Sequence, residues 1–165
     1  ITDKVIEYGH HKIAYIDGPK KLYTSYLRKK GFKRSLEKNG IALDENLIFE
    51  GDFSFDGGRK AALKISEKMD LVTAIVAAND STALGAMWEL NNQNIKVPEQ
   101  ISVVGIDNLP EAKYSYPSLT TIEIPIYQLG TNIGEYLLNR LNNECDYQFK
   151  DIKTKLIMRD SLKRI

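Results

Sequence analysis

Residues 74–107 read AIVAANDSTALGAMWELNNQNIKVPEQISVVGID, and this stretch decides the fold class. It places two short apolar runs rich in β-branched residues, 74–78 and 101–106, on either side of a longer helical pattern over 80–92. Both runs are continuously apolar rather than alternating, which is typical of strands covered on both faces of a sheet. The stretch therefore predicts two parallel strands joined by a helix, with a right-handed crossover.

The same alternation continues on both sides of this stretch. Further apolar runs predict strands over 13–16, 47–49, 120–124 and 154–158. Other helical patterns predict helices over 24–39, 57–69 and 126–143. Asp80 or Ser81 is expected to cap the helix over 80–92. The pattern as a whole predicts an α/β fold, in which a parallel sheet is flanked by helices on both faces in three layers, α/β/α.

Composition excludes several classes of protein. The chain has 165 residues, of which 42% are apolar and 27% charged, as in an ordinary soluble globular domain. We see no apolar run long enough to span a bilayer and no signal-peptide pattern at the start. With 23 basic and 22 acidic residues, the charge gives this segment no electrostatic reason to bind DNA itself. The lone cysteine, Cys145, suits a reducing compartment.

Polar and aromatic side chains follow the predicted strands, where parallel sheets bind ligands. Phe53, Asn79 and Asp107 come after the second, third and fourth strands, and Arg28 lies beyond the first. The guanidinium fork of an arginine can hold two hydroxyls, a carboxylate accepts hydrogen bonds from them, and an amide both donates and accepts. An aromatic ring offers a flat face to the C–H face of a sugar. The set predicts a site for a neutral, polyhydroxylated ligand.

Each of these residues also has a structural alternative. Asp107 could cap the following helix or stay solvated, Phe53 could belong to the core, and Arg28 could be a surface residue. His10 and His11 precede the first strand and are expected at the surface or at a helix end. The sequence contains no Ser-His-Asp set, zinc-ligand spacing, Walker loop or dinucleotide fingerprint, so it predicts neither a catalytic site nor a metal site.

Several strings in this sequence have counterparts in one family of bacterial regulators. They are YGHHKIAYI at 8–16, GP at 18–19, RKKGF at 28–32, EGDF at 50–53, ANDSTALGA at 78–86, VPEQISVVGIDN at 97–108 and PSLTTI at 117–122. They follow one another in the order and at nearly the spacing of the lactose repressor/galactose repressor (LacI/GalR) family. On these motifs, the chain resembles the C-terminal half of that family's effector-binding core.

The resemblance implies a type I periplasmic-binding-protein-like lobe and a division of the chain. Residues 1–124 would form the C-terminal lobe, 125–153 a crossover helix and strand of the N-terminal lobe, and 154–165 the return to the C-terminal lobe. Family members carry a helix-turn-helix before this core, so operator DNA would be bound by an N-terminal region outside this chain. The implied protein is a cytoplasmic repressor, a homodimer controlled by a small-molecule effector that would be a sugar or a sugar derivative.

The resemblance also implies roles for single residues. Arg28 matches the arginine that holds effector hydroxyls, and Thr24 falls where a hydroxyl residue often touches the ligand. Phe53 matches the aromatic residue that stacks on the effector, Asn79 an amide contact, and Asp107 an acidic contact. We expect these five residues to bind the effector.

One departure from the family concerns Ile124, which stands where members often have glutamine. A contact from the crossover segment is therefore lost or changed. Members that respond to a phosphocarrier protein commonly lack the arginine, so Arg28 favours a small-molecule effector.

The helix over 80–92 has apolar residues on more than one face. The face that carries Met87 or Trp88 resembles the family's dimer surface. The alternative is that this helix is fully buried within its own lobe.

Two other functions are compatible with the same patterns. A sugar-binding protein of a transport system shares the two-lobed core, and the Ala-Asn-Asp and Val-Pro-Glu strings favour the regulator over it. An α/β enzyme could use Asp52, Asp80 or Asp107 with Mg²⁺ for phosphoryl chemistry. Since no phosphate loop or nucleophile-base pair accompanies these carboxylates, we expect no enzyme.

Overall fold

The computed structural model describes residues 1–142 and 151–165, and its centre is one six-stranded sheet. The strands follow the order β2-β1-β3-β4-β5-β6 across the sheet. They are β1 (Ile13–Ile16), β2 (Ile48–Phe49), β3 (Ala74–Ala77), β4 (Ser102–Asp107), β5 (Thr120–Glu123) and β6 (Lys155–Ile157). The first five are parallel. Their carboxyl ends therefore meet at one edge of the sheet.

Helices cover both faces of this sheet, so the predicted three-layer α/β/α architecture is confirmed. They are α1 (Thr2–Glu7), α2 (Tyr23–Lys38), α3 (Phe55–Ser66), α4 (Asp80–Asn92), α5 (Pro110–Tyr114) and α6 (Ile126–Leu141). The helices α1 and α2 pack on one face, and α3 and α4 on the other. The short helix α5, which the sequence patterns did not predict, adds Ala112 to the core beneath α3 and α4.

The central strands β1 and β3 are continuously apolar because each one supplies two cores. On β1, Ala14 and Ile16 pack on the α3/α4 side, whereas Ile13 and Tyr15 pack on the α1/α2 side. All four residues are buried. Successive side chains of a strand point to opposite faces, so a strand covered on both sides needs apolar residues at every position.

Three sequence-based expectations need correction. The strand β6 pairs antiparallel with β5, so the sheet is mostly rather than wholly parallel. The cap of α4 is Asn79 and neither Asp80 nor Ser81, since the Asn79 side chain accepts a hydrogen bond from the Thr82 amide. The helix predicted over 126–143 ends at Leu141, and its last predicted residue lies outside the described residues, as does Cys145.

Of the two positions expected for His10, the surface or a helix end, the surface is wrong. It is 1% exposed and links two distant segments: its Nδ1 lies 3.0 Å from Thr73 Oγ1 and its Nε2 lies 2.9 Å from the Lys163 carbonyl oxygen. Burial lowers the pKa of this imidazole, so the neutral ring is favoured. The histidine that precedes β1 thus connects the C-terminal segment to the residue before β3, and of the two histidines only His11 is exposed.

The helix α6 differs from the others because much of its apolar surface is exposed. The exposed apolar side chains on it are Ile126, Tyr127, Leu129, Ile133, Leu137, Leu138 and Leu141. Its pattern is strongly amphipathic, yet the described residues provide no apolar layer that covers these side chains. Within the described ranges, no helix combines the length and apolarity that crossing a membrane requires.

Candidate functional site

An arginine from α2 and a carboxylate from the end of β4 meet at the carboxyl edge of the sheet. Arg28 Nη2 donates to Asp107 Oδ1 at 2.7 Å, and both side chains are 21% exposed. Arg28 Nη1 donates to the carbonyl oxygen of Ala78, directly after β3. The guanidinium thus bridges the ends of two neighbouring strands. These contacts exclude the alternatives in which Arg28 is a free surface residue or Asp107 caps the next helix, whose N-cap is Leu109.

Phe53 lies beside this pair, on the loop that follows β2. The Arg28 guanidinium carbon is 5.6 Å from the centre of the Phe53 ring. Phe53 has a positive φ of 66°, which is uncommon for a non-glycine residue. Its carbonyl oxygen accepts a hydrogen bond from Asn79 Nδ2 at 3.0 Å. Asn79 therefore stabilises the unusual backbone that presents the ring.

Gly18 explains how the Phe53 ring can lie so close to the loop after β1. A Cβ added to Gly18 would be 2.3 Å from Phe53 Cε1 and 2.5 Å from Ser25 Oγ. We therefore expect Gly18→Ala to displace the ring and to lower the free energy of unfolding by about 1–3 kcal/mol, the usual cost of overpacking. Crystallography and urea denaturation measure the two effects.

Ser25→Ala is the control for this change, because it trims the other close neighbour and should leave the Phe53 ring in place. A Gly18→Ala structure with an unmoved ring would contradict the close approach.

Asn79 has a mainly structural position. It is 9% exposed, its Oδ1 accepts from the Thr82 amide at the start of α4, and its Nδ2 holds the Phe53 loop. An amide offers two N–H donors and two acceptor lone pairs, so these two bonds leave one of each. The predicted contact between Asn79 and a ligand stays a prediction, and the structure adds a positioning role that the sequence did not reveal.

Thr24 lies four residues before Arg28 on α2 and is exposed. Residues four apart lie on the same face of a helix, so Thr24 is on the face that carries Arg28. Ile124 comes directly after β5 and is partly buried, so it places an aliphatic side chain at the same edge. The structure therefore brings together Arg28, Asp107, Phe53 and Asn79, and Thr24 lies about one helical turn before Arg28 on α2.

Asp80 is a buried carboxylate behind this edge. It is 0% exposed, and it accepts hydrogen bonds from Thr121 Oγ1 at 2.6 Å and from the Leu109 amide at 2.9 Å. Burial raises the pKa of Asp80, and the nearby charge of Asp107 raises it further, whereas the two hydrogen bonds lower it. Asp80 thus joins the start of α4 to β5 and to the loop after β4. Across the described residues, no three His, Cys, Asp or Glu side chains form a group that could hold a metal.

A second surface feature lies between α4 and α5. It is a hollow of about 610 Å³ whose aromatic lining comes from Phe55, Trp88, Tyr114 and Tyr116. Trp88 is 45% exposed, and its ring packs against the Arg59 guanidinium, 4.3 Å from the ring centre. Met87 also borders the hollow but is only 5% exposed and belongs mainly to the core. Of the two residues predicted at a dimer surface, Trp88 is the exposed one.

Comparison with known proteins gives one consistent result. The periplasmic binding protein-like domain family matches residues 2–162. The chain is 38% identical over 165 residues to the HTH-type transcriptional repressor PurR of Vibrio vulnificus, covering 99% of this chain and 49% of the repressor.

Solved structures agree with this. The crystal structure of the Escherichia coli transcriptional repressor ascG superposes with a TM-score of 0.91 at 35% identity, covering 98% of this chain and 59% of the other. A complex of the transcriptional regulator CelR with cellobiose has a TM-score of 0.90 at 31% identity, covering 97% and 49%. The chain therefore spans about half the length of the curated relative and between half and three fifths of these solved chains.

Proposed function

The chain belongs to the periplasmic binding protein-like domain family, in the form found in LacI-type transcriptional regulators, and we propose that it is the effector-binding part of such a regulator. The proposed ligand is a small, neutral, hydroxyl-rich metabolite of the sugar class. The observation that carries the proposal is the Arg28–Asp107 pair beside the Phe53 ring at the carboxyl edge of the sheet. The regulator would act in the cytoplasm, without catalysis, on operator DNA bound by a region outside this chain.

The charge of the site favours a neutral ligand. The positive guanidinium of Arg28 is matched by the Asp107 carboxylate at 2.7 Å, so the pair offers no net charge to neutralise a phosphate. A hydroxyl can donate to the carboxylate and accept from the guanidinium, whereas a phosphate would be repelled by Asp107. The Phe53 ring provides an apolar face next to these polar groups, as sugars require. A complex with cellobiose is known for the structural relative CelR.

Ligand control would come from the closure of two lobes. We assign residues 1–124 and 154–165 to the C-terminal lobe and 125–153 to the crossover into the N-terminal lobe, part of which lies outside the described residues. The exposed apolar side chains of α6 support this division, since the N-terminal lobe would cover them. A ligand held by both lobes binds the closed form better and shifts the equilibrium only by that difference in affinity. By linkage, operator DNA and ligand change each other's affinity by the same factor.

The surface around Trp88 would join two copies of the regulator. Its exposed aromatic side chains are contributed by α3, α4 and the segment around α5. A two-fold symmetric dimer brings the same patch of each copy together, and it also places two DNA-binding regions on two operator half-sites. We therefore assign the dimer contact to this hollow, with Trp88 at its centre and Met87 beneath it.

Trp88→Asp should dissociate the proposed dimer. Tryptophan at the centre of an interface commonly contributes 2 kcal/mol or more, so the dimer dissociation constant should rise by about thirtyfold or more. Analytical ultracentrifugation of the intact protein measures this constant. Leu71→Asp is the control, because Leu71 is exposed to a similar degree at 52% and does not line the hollow. An unchanged dissociation constant in Trp88→Asp would place the dimer contact elsewhere.

A thermal-shift screen tests the ligand class. The panel contains neutral sugars, including D-glucose, D-ribose and cellobiose, each beside a phosphorylated counterpart where one exists. A ligand present at a hundred times its dissociation constant stabilises the folded protein by about 2.7 kcal/mol, which raises the melting temperature measurably. We expect at least one neutral sugar to raise it and its phosphorylated form to do so less. A screen in which no neutral sugar acts, or only phosphorylated ones act, contradicts the proposed ligand class.

A further inference from the structure

The turn that carries Asp107 has two consecutive non-glycine residues with a positive φ. Asp107 has a φ of 127° and Asn108 a φ of 57°, and neither is glycine. Such conformations cost free energy and persist only where the surrounding structure holds them. The direction of the Asp107 carboxylate, and hence its contact with Arg28, depends on what holds this turn.

Three side chains from neighbouring elements contact the turn. Asp80 accepts from the Leu109 amide, and Glu123 accepts from Asn108 Nδ2 at 3.2 Å. Thr121 Oγ1 lies 3.4 Å from the Asn108 amide nitrogen while donating its own proton to Asp80. These contacts fix the backbone beyond Asp107 but leave the Asn108 side-chain oxygen available.

Arg159, just after β6, contacts that oxygen. Its Nη2 donates to Asn108 Oδ1 at 2.7 Å, and its Nη1 donates to the Leu119 carbonyl oxygen, also at 2.7 Å. The Arg159 guanidinium thus joins the turn to Leu119, the residue that precedes β5. The Arg159 backbone is fixed in turn by Thr120, whose hydroxyl accepts from the Arg159 amide at 2.9 Å and lies 3.0 Å from its carbonyl oxygen. Arg159 is partly buried, and its two hydrogen bonds orient the guanidinium towards the turn.

We propose that Arg159 is a positioning residue of the effector site, which acts through Asn108 to hold the turn that directs Asp107 at Arg28. This inference rests on the proposed function for its ligand. It makes the segment after β6 a part of the binding machinery through the contact of Arg159 with Asn108. The coupling runs over two side-chain hydrogen bonds, Arg159 to Asn108 and Arg28 to Asp107, which the backbone between Asp107 and Asn108 connects.

The test compares Arg159→Gln with the wild-type protein, using the intact chain and the neutral sugar that gives the largest thermal shift. Isothermal titration calorimetry should show affinity weakened by about tenfold, as expected for loss of one coupled contact. Arg159→Lys keeps the positive charge but donates from one nitrogen only, so its affinity should fall between those of the wild type and Arg159→Gln. Asp160→Asn is the control, since Asp160 lies on the same segment and contacts Ser118 rather than the turn. Its affinity should equal that of the wild-type protein.

A double-mutant cycle separates positioning from general stability. Glycine adopts a positive φ at little cost. Asn108→Gly therefore removes the side-chain oxygen that Arg159 contacts, and it also lowers the free-energy cost of the positive φ at this position. If Arg159 acts through Asn108, Arg159→Gln should change affinity less than twofold in the Asn108→Gly background. An equal loss in both backgrounds would overturn the positioning role. Should Arg159→Gln fail to fold, Arg159→Lys takes its place in the cycle, and a loss of affinity that disappears in the Asn108→Gly background supports the proposal.

The remaining outcomes distinguish this inference from the proposed function. Unchanged affinity in Arg159→Gln together with weakened affinity in Arg28→Ala overturns the positioning role and leaves the proposed site intact. Unchanged affinity in both variants overturns the proposed site and the inference with it. A crystal structure of Arg159→Gln that keeps the turn and the Arg28–Asp107 contact would also overturn the inference, without any ligand.

Discussion

Arg28→Ala should weaken binding of the neutral sugar by more than tenfold. The substitution removes the guanidinium fork and leaves the Asp107 carboxylate, which is only 21% exposed, without its partner. Loss of a hydrogen bond that involves a charged group costs about 1.5–3 kcal/mol, which corresponds to a factor of more than ten in the dissociation constant. Isothermal titration calorimetry on the intact protein measures this change.

Two further variants make the Arg28 result specific. Arg28→Lys keeps the charge but has a point donor in place of the planar fork, so its affinity should fall between those of wild type and Arg28→Ala. Arg34→Ala is the matched control, because Arg34 is an exposed arginine on the same helix. It should bind as the wild type does. An Arg28→Ala affinity within twofold of wild type would show that the assigned role is wrong.

The sequence predicted the strands well because burial on both faces leaves little choice of residue. Predicted and observed bounds agree within one residue for the runs at 13–16, 74–78 and 101–106. The helix over 80–92 was also predicted at its observed bounds, although its cap was not. Asn, Asp and Ser all serve as N-caps, so the run Asn79-Asp80-Ser81 offers three candidates whose order only the backbone decides.

A topological rule also predicted that four polar or aromatic residues lie close together: Arg28, Phe53, Asn79 and Asp107. Parallel strands place their carboxyl ends at one edge, so residues that follow different strands must lie near one another. The structure shows that these four residues do, through the Arg28–Asp107 and Asn79–Phe53 contacts. Whether they bind a ligand, and whether Thr24 joins them, stays a prediction.

Contacts made by the segment that follows β6 were not predictable from local sequence patterns. Arg159 reaches Asn108 across 51 positions of sequence, and His10 reaches Lys163 across 153. A lone arginine after a short strand and a histidine before one are most simply interpreted as surface residues. The antiparallel pairing of β6 with β5 brings Arg159 towards Asn108, and backbone hydrogen bonds from Val103 to Ser161 and from Ile165 to Tyr8 hold the segment that carries Lys163. A positive φ at Asp107 and Asn108 likewise has no sequence signal beyond the tolerance of Asp and Asn for that region.

Gly85→Ala should destabilise the fold, although alanine is the better helix former. Gly85 is buried on α4, and a Cβ there would be 2.0 Å from the Phe55 carbonyl oxygen at the start of α3. That atom belongs to the backbone, so the two helices would have to separate. Overpacking of this kind costs about 1–3 kcal/mol, whereas the gain in helix propensity from glycine to alanine is about 1 kcal/mol. We therefore expect a net loss in the free energy of unfolding, measured by urea denaturation.

Gly31→Ala provides the matched control for Gly85→Ala. Gly31 lies inside α2 and has nothing within 4 Å of its added Cβ, so only the propensity gain applies. Its free energy of unfolding should rise by about 0.5–1 kcal/mol. The two substitutions are chemically identical and should have opposite signs. If Gly85→Ala were stabilising too, α3 and α4 could not be as close as the structure places them, and α4 could not carry Asn79 and Trp88 to their observed positions.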